Sequence, residues 1–467
     1  MKILKKYLIY TITAGEGHNS IAKSLKEKLE QNPDNKVKVI DIFKAYGKPT
    51  KSSFINDGYL SACKFTLPIY NLIFRNLQQK SPEDRNKRIA QNWIDYETPQ
   101  MLKDIYSFKP DCIIGTHFYV GIAITNLKKL YPIPAKSVVI LTDYTVHPFW
   151  ECGTNIDYLI TPTNILDNQL IFKGYTERQL LPLGIPVRES FTTPLTKAEA
   201  RKKLGLDENL FTCLIILGGG GIGGGDKYVK KLLKINRSFQ IIVVNGHDTA
   251  GYKKIEQIIE KNKKNIPILN LGFINYVSTT MFASDCIIGK CGCLTVNEAL
   301  NANRVLISSS TLAQQEYDNL LFLTTNNASI KLDKDIKIEY IIPLLIDNPS
   351  ILKKMEESIK QIRKPNALTD IINLVESFDN VNYDLNIITE KNNEIRQELK
   401  KIMKQENETI NKKRRATRKE NRKLPKTIKQ EKKQKKRQEV TYNKALKEAI
   451  KKSKSITYAE HFLDKAT

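Results

Sequence analysis

The chain has 467 residues, 41% of them hydrophobic, with 75 Lys and Arg against 50 Asp and Glu for a net charge of +25. That length and apolar content suit two domains with ordinary cores and exclude a chain disordered throughout. No stretch supplies about 18 uninterrupted apolar residues, which excludes a spanning helix and leaves peripheral membrane association as the only kind expected.

The first apolar stretch, Tyr7 to Thr13, is too short to span and lacks a small-residue cleavage site, so it reads as a strand rather than a signal peptide. A helical stretch at 19–31 and β-rich runs at 37–42, 112–115, 137–141 and 158–161 follow. This alternation predicts a parallel sheet covered by helices. Ile185 to Pro194 reads as an interdomain connection. Beyond it a short helix at 197–206 and strands at 212–217, 240–244, 268–271, 286–288 and 305–307 repeat the cadence, and helices running to about Phe378 close the core. The expected architecture is α/β, with two Rossmann-like halves at 1–188 and 189–365, a closing helix at 366–389 and a tail at 390–467. Ligands of such sheets sit beyond the carboxyl ends of the strands, so two facing halves make a cleft lined from both sides.

The tail holds 26 Lys and Arg against 11 Asp and Glu, a net +15 of the chain's +25. It is nearly free of aromatic residues and cannot bury enough apolar surface to fold by itself. Attraction to anionic lipid headgroups, attraction to nucleic acid, and a solvated extension with no ligand are its three readings. The seven cysteines are odd in number and contain no C-x-x-C pair, which fits reduced thiols in the cytosol. Cys291 and Cys293 have no His or second Cys pair nearby in sequence, so no metal site is expected.

Four segments carry chemistry. Thr13 to Ser20 links the first strand to the first helix; Gly15 and Gly17 allow close approach, and His18 at the helix start is a candidate general base or, alternatively, a packed or capping residue. Leu141 to Trp150 ends another strand and gathers Asp143, His147 and the rings of Phe149 and Trp150. Asp143 can orient a histidine or bind a sugar hydroxyl, and His147 competes with His18 as base, unless both are buried structural groups. The run Gly218 to Gly225, broken only by Ile222, lies between an apolar strand and a helix. Its backbone N–H groups, at Gly219, Gly220, Gly221 and Gly223 among others, can approach a diphosphate at a helix N-terminus, although a linker or tight turn has the same composition. Finally Asp285 to Leu300 reads as strand, turn and helix, with Glu298 placed to accept hydrogen bonds from two ribose hydroxyls or only to favour the helix dipole, and Gln314 to Asn319 forms a polar cluster that either binds sugar hydroxyls or is a solvated helix start.

Taken in order, Gly-Glu-Gly-His at 15–18, Thr142-Asp143 with His147-Pro148 and Trp150, Leu183 to Val187, the glycine run, Leu271-Gly272-Phe273, the Lys290, Gly292, Thr295, Glu298 and Ala299 pattern, and Gln315-Glu316 with Asn319 resemble the monogalactosyldiacylglycerol synthase and diacylglycerol glucosyltransferase group. That group lies within glycosyltransferase family 28, and the resemblance spans about residues 5–380. It implies a GT-B fold, a nucleotide-sugar donor held mainly by the second half, a lipid acceptor entering against the first, and inversion at the anomeric carbon. It further implies His18 at the reaction centre, Gly219 to Gly223 facing the diphosphate, Glu298 on the ribose, and Gln315 with Glu316 on the hexose. Lys290, Gly292, Thr295 and Asn319 join the donor site by the same likeness. The chain departs from the pattern at Glu16, at Cys293-Leu294 and at Thr311 to Gln314, which leaves the donor sugar open.

The expected function is therefore transfer of a hexose from a UDP-sugar to diacylglycerol or a related glycolipid, with no cofactor and no metal, on the cytoplasmic face of a membrane. The aromatic-rich segment 59–74, including Tyr59, Phe65, Tyr70 and Phe74, suits a membrane surface or an interior helix pair, and Gly17 and Trp150 are grouped with it on the acceptor side. An anionic membrane surface is an expected partner and nucleic acid is not. Two alternatives are transfer of N-acetylglucosamine to a polyprenyl-linked acceptor, favoured by Leu294-Thr295-Val296, and a non-catalytic binding protein working through the basic tail.

Overall fold

The computed structural model describes residues 4–13, 16–46, 95–217, 224–262, 266–308 and 314–383. The segment 59–74, the glycines at 15, 219, 220, 221 and 223, and the tail at 390–467 lie outside the described residues.

Twelve strands among the described residues form two six-stranded sheets in which every pairing is parallel. The first contains β1 (Lys5–Thr11), β2 (Asn35–Asp41), β3 (Cys112–Gly115), β4 (Lys136–Ile140), β5 (Tyr158–Ile160) and β6 (Leu180–Leu181), in the order β2-β1-β3-β4-β5-β6. The second contains β7 (Phe211–Ile216), β8 (Phe239–Val244), β9 (Ile268–Leu271), β10 (Cys286–Gly289), β11 (Val305–Ser308) and β12 (Ser329–Lys331), in the order β12-β11-β10-β7-β8-β9. The second order is the full doubly wound Rossmann arrangement. The strand runs expected from the sequence are all present; β6 and β12 were not expected, being two and three residues long.

Burial on both faces explains why these strands read as continuous apolar runs. Along β1, Tyr7 and Ile9 enter one core cluster while Leu8 and Tyr10 enter another, and all four are fully buried. The cluster containing Tyr7 and Ile9 continues through Tyr144, Ile185 and Val187 into the core of the second sheet, so the halves share apolar surface.

Helices that position the site are α1 (Glu16–Leu29) after β1, α2 (Phe118–Leu130) after β3, α3 (Gly225–Leu232) after β7, α4 (Cys293–Asn301) after β10 and α5 (Gln314–Thr325) after β11. Helix α6 (Ala367–Glu376) returns the chain to the first half. There Lys5 Nζ donates to the Phe378 carbonyl at 2.7 Å, Asn35 Nδ2 donates to Glu376 Oε1 at 2.9 Å, and Tyr383 donates to the Pro110 carbonyl at 2.9 Å. The outgoing chain passes the returning one at Gly184, whose φ of +98° and whose closeness to Lys364, 2.3 Å from where a Cβ would stand, leave room only for glycine.

Candidate active site

In each sheet the strand order reverses beside the first strand: between β1 and β3 in one half, between β7 and β10 in the other. Loops at such switch points line the ligand crevice. At the first, His18 lies in the opening turn of α1, and its Nδ1 is 2.7 Å from the Thr116 carbonyl that follows β3. A carbonyl only accepts, so Nδ1 carries the proton in the neutral ring and Nε2 keeps its lone pair. Burial holds the His18 pKa below the ordinary value and so favours the neutral ring, partly offset by that hydrogen bond. The carbonyl is itself fixed by a polar chain: Thr116 Oγ1 donates to Thr11 Oγ1 at 2.9 Å, Thr11 to Asn19 Oδ1 at 3.1 Å, and Asn19 Nδ2 to Thr13 Oγ1 at 2.8 Å. These hydroxyls and Asn19 were not singled out in the sequence, although a Gly-Thr-His run directly after a strand repeats the grammar of the first loop.

The loop after β4 divides its residues between two tasks. Thr142 Oγ1 comes within 3.5 Å of His18 Nδ1. Asp143 is partly exposed, and burial of its carboxyl pushes its pKa up to about 6 despite a hydrogen bond from Asn319. His147 sits instead among rings, with centroids 4.7 Å from Phe118, 5.6 Å from Phe149 and 5.8 Å from Trp150. Burial lowers its pKa to about 3, so the imidazole is neutral and weakly basic, and His18 is the histidine with a general base's geometry. Trp150, expected on the acceptor and membrane side, is only 3% exposed and belongs to this aromatic cluster, so its ring does not face a surface.

The second half presents the carboxylates. Glu298, on α4, is 3% exposed, and Arg188 Nε approaches its Oε1 at 3.5 Å. Burial raises its pKa to about 7, with Arg188 opposing the shift. Arg188, from the connection between halves, was not expected at the site; a cation beside the Ile185-Pro186-Val187 run is the one signal available for it. Lys290 is buried at the end of β10, and Thr295 is partly exposed in the first turn of α4. Gln315 and Glu316 are partly exposed at the start of α5, and Glu316 Oε1 lies 3.9 Å from where a Cβ of Gly292 would stand. Gly17 faces this half directly, 3.8 Å from Leu294 Cβ by the same measure. The glycines expected at the diphosphate fall outside the described residues, but α3 starts immediately after them, with Gly224 at a φ of +109°.

Asn319 has a task the sequence did not disclose. Its Oδ1 accepts from the Tyr144 N–H at 2.9 Å, while its Nδ2 donates to Asp143 Oδ1 at 3.3 Å and to the Cys291 carbonyl at 3.2 Å. Both amide protons brace the halves in the described structure. Tyr144 completes the clasp, donating from its hydroxyl to Asn297 Oδ1 at 3.1 Å and stacking on Phe322 at 4.7 Å; Asn297 in turn donates to the Ile185 carbonyl.

Two six-stranded parallel sheets, each with its own switch point, make up a GT-B architecture. Among solved structures, MurG of Acinetobacter baumannii has this fold with a TM-score of 0.52 at 14% identity, over 80% of this chain and 99% of that one. MnaA of S. aureus, solved with UDP, matches with a TM-score of 0.50 at 14% identity over 82% and 98%. More particularly, the monogalactosyldiacylglycerol (MGDG) synthase family model matches residues 18–187. A processive diacylglycerol beta-glucosyltransferase of Bacillus cereus is 24% identical over 370 residues, covering 79% of this chain and 93% of that protein, as is the protein of the same name from Bacillus mycoides. The family resemblance drawn from the motifs is borne out by these matches.

Proposed function

We propose that this glycosyltransferase moves a hexose from a UDP-sugar to the hydroxyl of diacylglycerol or a related glycolipid, in one displacement that inverts the anomeric carbon. The relatives are named for a beta-glucosyl product, and UDP-glucose carries its sugar as the α anomer, so a beta product from it requires inversion. UDP-glucose is accordingly the first donor to test.

The observation that carries the reading is the tautomer of His18: Nδ1–H is held by the Thr116 carbonyl, so Nε2 is the nitrogen free to take a proton. In the proposed step the acceptor O–H gives its proton to His18 Nε2 as its oxygen bonds to the anomeric carbon. The bond from that carbon to the phosphate oxygen breaks, and UDP leaves with the electron pair. Asp143, which lies between Thr142 at the His18 ring and Tyr144 and accepts from Asn319 Nδ2 at 3.3 Å, assists electrostatically as imidazolium forms. Backbone N–H groups of the glycine run and the N-terminus of α3 take the diphosphate charge, without a required metal. Glu298 accepts from the ribose hydroxyls, and Gln315 with Glu316 holds the hexose. Among the described residues no helix is long and apolar enough to cross a membrane. The lipid acceptor and the basic tail together favour peripheral attachment to an anionic cytoplasmic leaflet.

His18→Ala is expected to abolish glucosyl transfer to diacylglycerol in mixed micelles while leaving UDP affinity within about twofold of the wild type. Near-native turnover by that variant would remove His18 from the base role.

A further inference from the structure

Beside the base stands a second imidazole that neither the motifs nor the matches assign. His117 precedes α2 as its N-cap, and its Nδ1 accepts from the Tyr119 N–H at 3.2 Å. In the neutral ring the proton must then sit on Nε2. The His117 and His18 rings meet edge to face with centroids 4.6 Å apart. Both residues are partly exposed, and both follow strands flanking the first switch point. Backbone groups thus set opposite tautomers on two adjacent rings: His18 offers a lone pair at Nε2, His117 offers an N–H. Burial and the two neighbouring histidines drive the His117 pKa well below the usual value, so this donor stays neutral throughout the working range.

An alcohol about to be deprotonated needs no second donor on its reacting oxygen, where an N–H would compete with the developing bond. A second oxygen one or two carbons away does need one. We propose that His117 is an acceptor-binding residue whose Nε2–H donates to the oxygen neighbouring the attacking hydroxyl, such as the ester oxygens of a diacylglycerol or a hydroxyl of an already attached sugar. It selects acceptors with vicinal oxygens over simple long-chain alcohols. The inference rests on the lipid-acceptor reading above and deepens it.

His117→Asn separates this role from helix capping, because the Asn Oδ1 can replace Nδ1 at the cap while nothing replaces Nε2 in the cleft. Calorimetric titration of UDP-loaded protein with dioctanoylglycerol should show binding at least about tenfold weaker for His117→Asn, with melting temperature and UDP affinity unchanged. His117→Gln, whose amide reaches further, should recover part of the loss. In turnover, the variant's defect should appear in KM for dioctanoylglycerol and be absent with dodecanol as acceptor. Equal dioctanoylglycerol affinity in wild type and His117→Asn, or an equal defect with both acceptors, overturns the assignment of His117 alone. Failure of the wild-type protein to bind dioctanoylglycerol overturns the lipid-acceptor reading and this inference with it.

Discussion

Replacing Glu298 with Gln tests the electrostatics of the cleft without needing a substrate. A carboxyl with an ordinary pKa of 4.5 is held near 7 in the folded chain, because its surroundings exclude water and Arg188 compensates only in part. The native state therefore binds the proton more tightly than the unfolded chain does. The stabilisation is complete below the unfolded pKa and is lost as pH rises through the folded one. A shift of this size corresponds to about 3 kcal/mol in total, of which about 2 kcal/mol falls between pH 5.5 and 8. Denaturant unfolding of wild type and Glu298→Gln at both pH values should show the wild type losing about 2 kcal/mol more than the variant. Other titrating groups cancel in the difference between the two proteins. Parallel pH slopes, within about 0.5 kcal/mol, would refute the buried Glu298 carboxyl with its raised pKa.

Two further outcomes follow from the clasp and its acid. Tyr144→Phe keeps the ring on Phe322 but strands Asn297 Oδ1, and should cost about 1–2 kcal/mol in chemical unfolding; a loss below about 0.3 kcal/mol would mean the hydroxyl contributes nothing to closure. Asp143→Asn preserves an oxygen for Asn319 while removing the charge. If ionised Asp143 assists the base, wild-type kcat/KM should climb with pH around 6, and the variant should lose that limb with UDP affinity intact. Unchanged pH profiles would exclude Asp143 from the step.

The fold was legible because both faces of each parallel strand are buried, which writes each one as an apolar run; Cys112–Gly115 and Ile268–Leu271 were bounded to the residue. The two strands that escaped, Leu180–Leu181 and Ser329–Lys331, sit at sheet edges and are too short for any periodicity to register. At the site, the glycine-flanked His18 and the helical Glu298 were visible because a strand, a turn and a helix announce a switch point. What remained hidden depends on pairs distant in sequence. Nothing local separates Asp143, which faces the cleft, from His147, four residues on, which is enclosed by Phe118, Phe149 and Trp150. Nor does a helical Asn announce that its partners are Asp143 and Tyr144, 176 and 175 residues away.

Those long-range partners explain why a polar clasp sits within an otherwise apolar junction. Apolar contact between the halves through Ile185, Val187 and their neighbours is non-directional and would tolerate sliding. Asn319 fixes the register, since three bonds of defined direction are satisfied together or not at all, and breaking one leaves a buried amide group short of a partner. Its position matters for chemistry as well. Asn319 lies one helical turn beyond Gln315 and Glu316, and the loop it grips carries Thr142 to the His18 ring. A shift of α5 relative to the first half would move the residues proposed to hold the hexose away from the base by the same amount. The proposed spacing between the hexose and His18 Nε2 is therefore held in part by this clasp, which is the positional constraint the proposed displacement depends on.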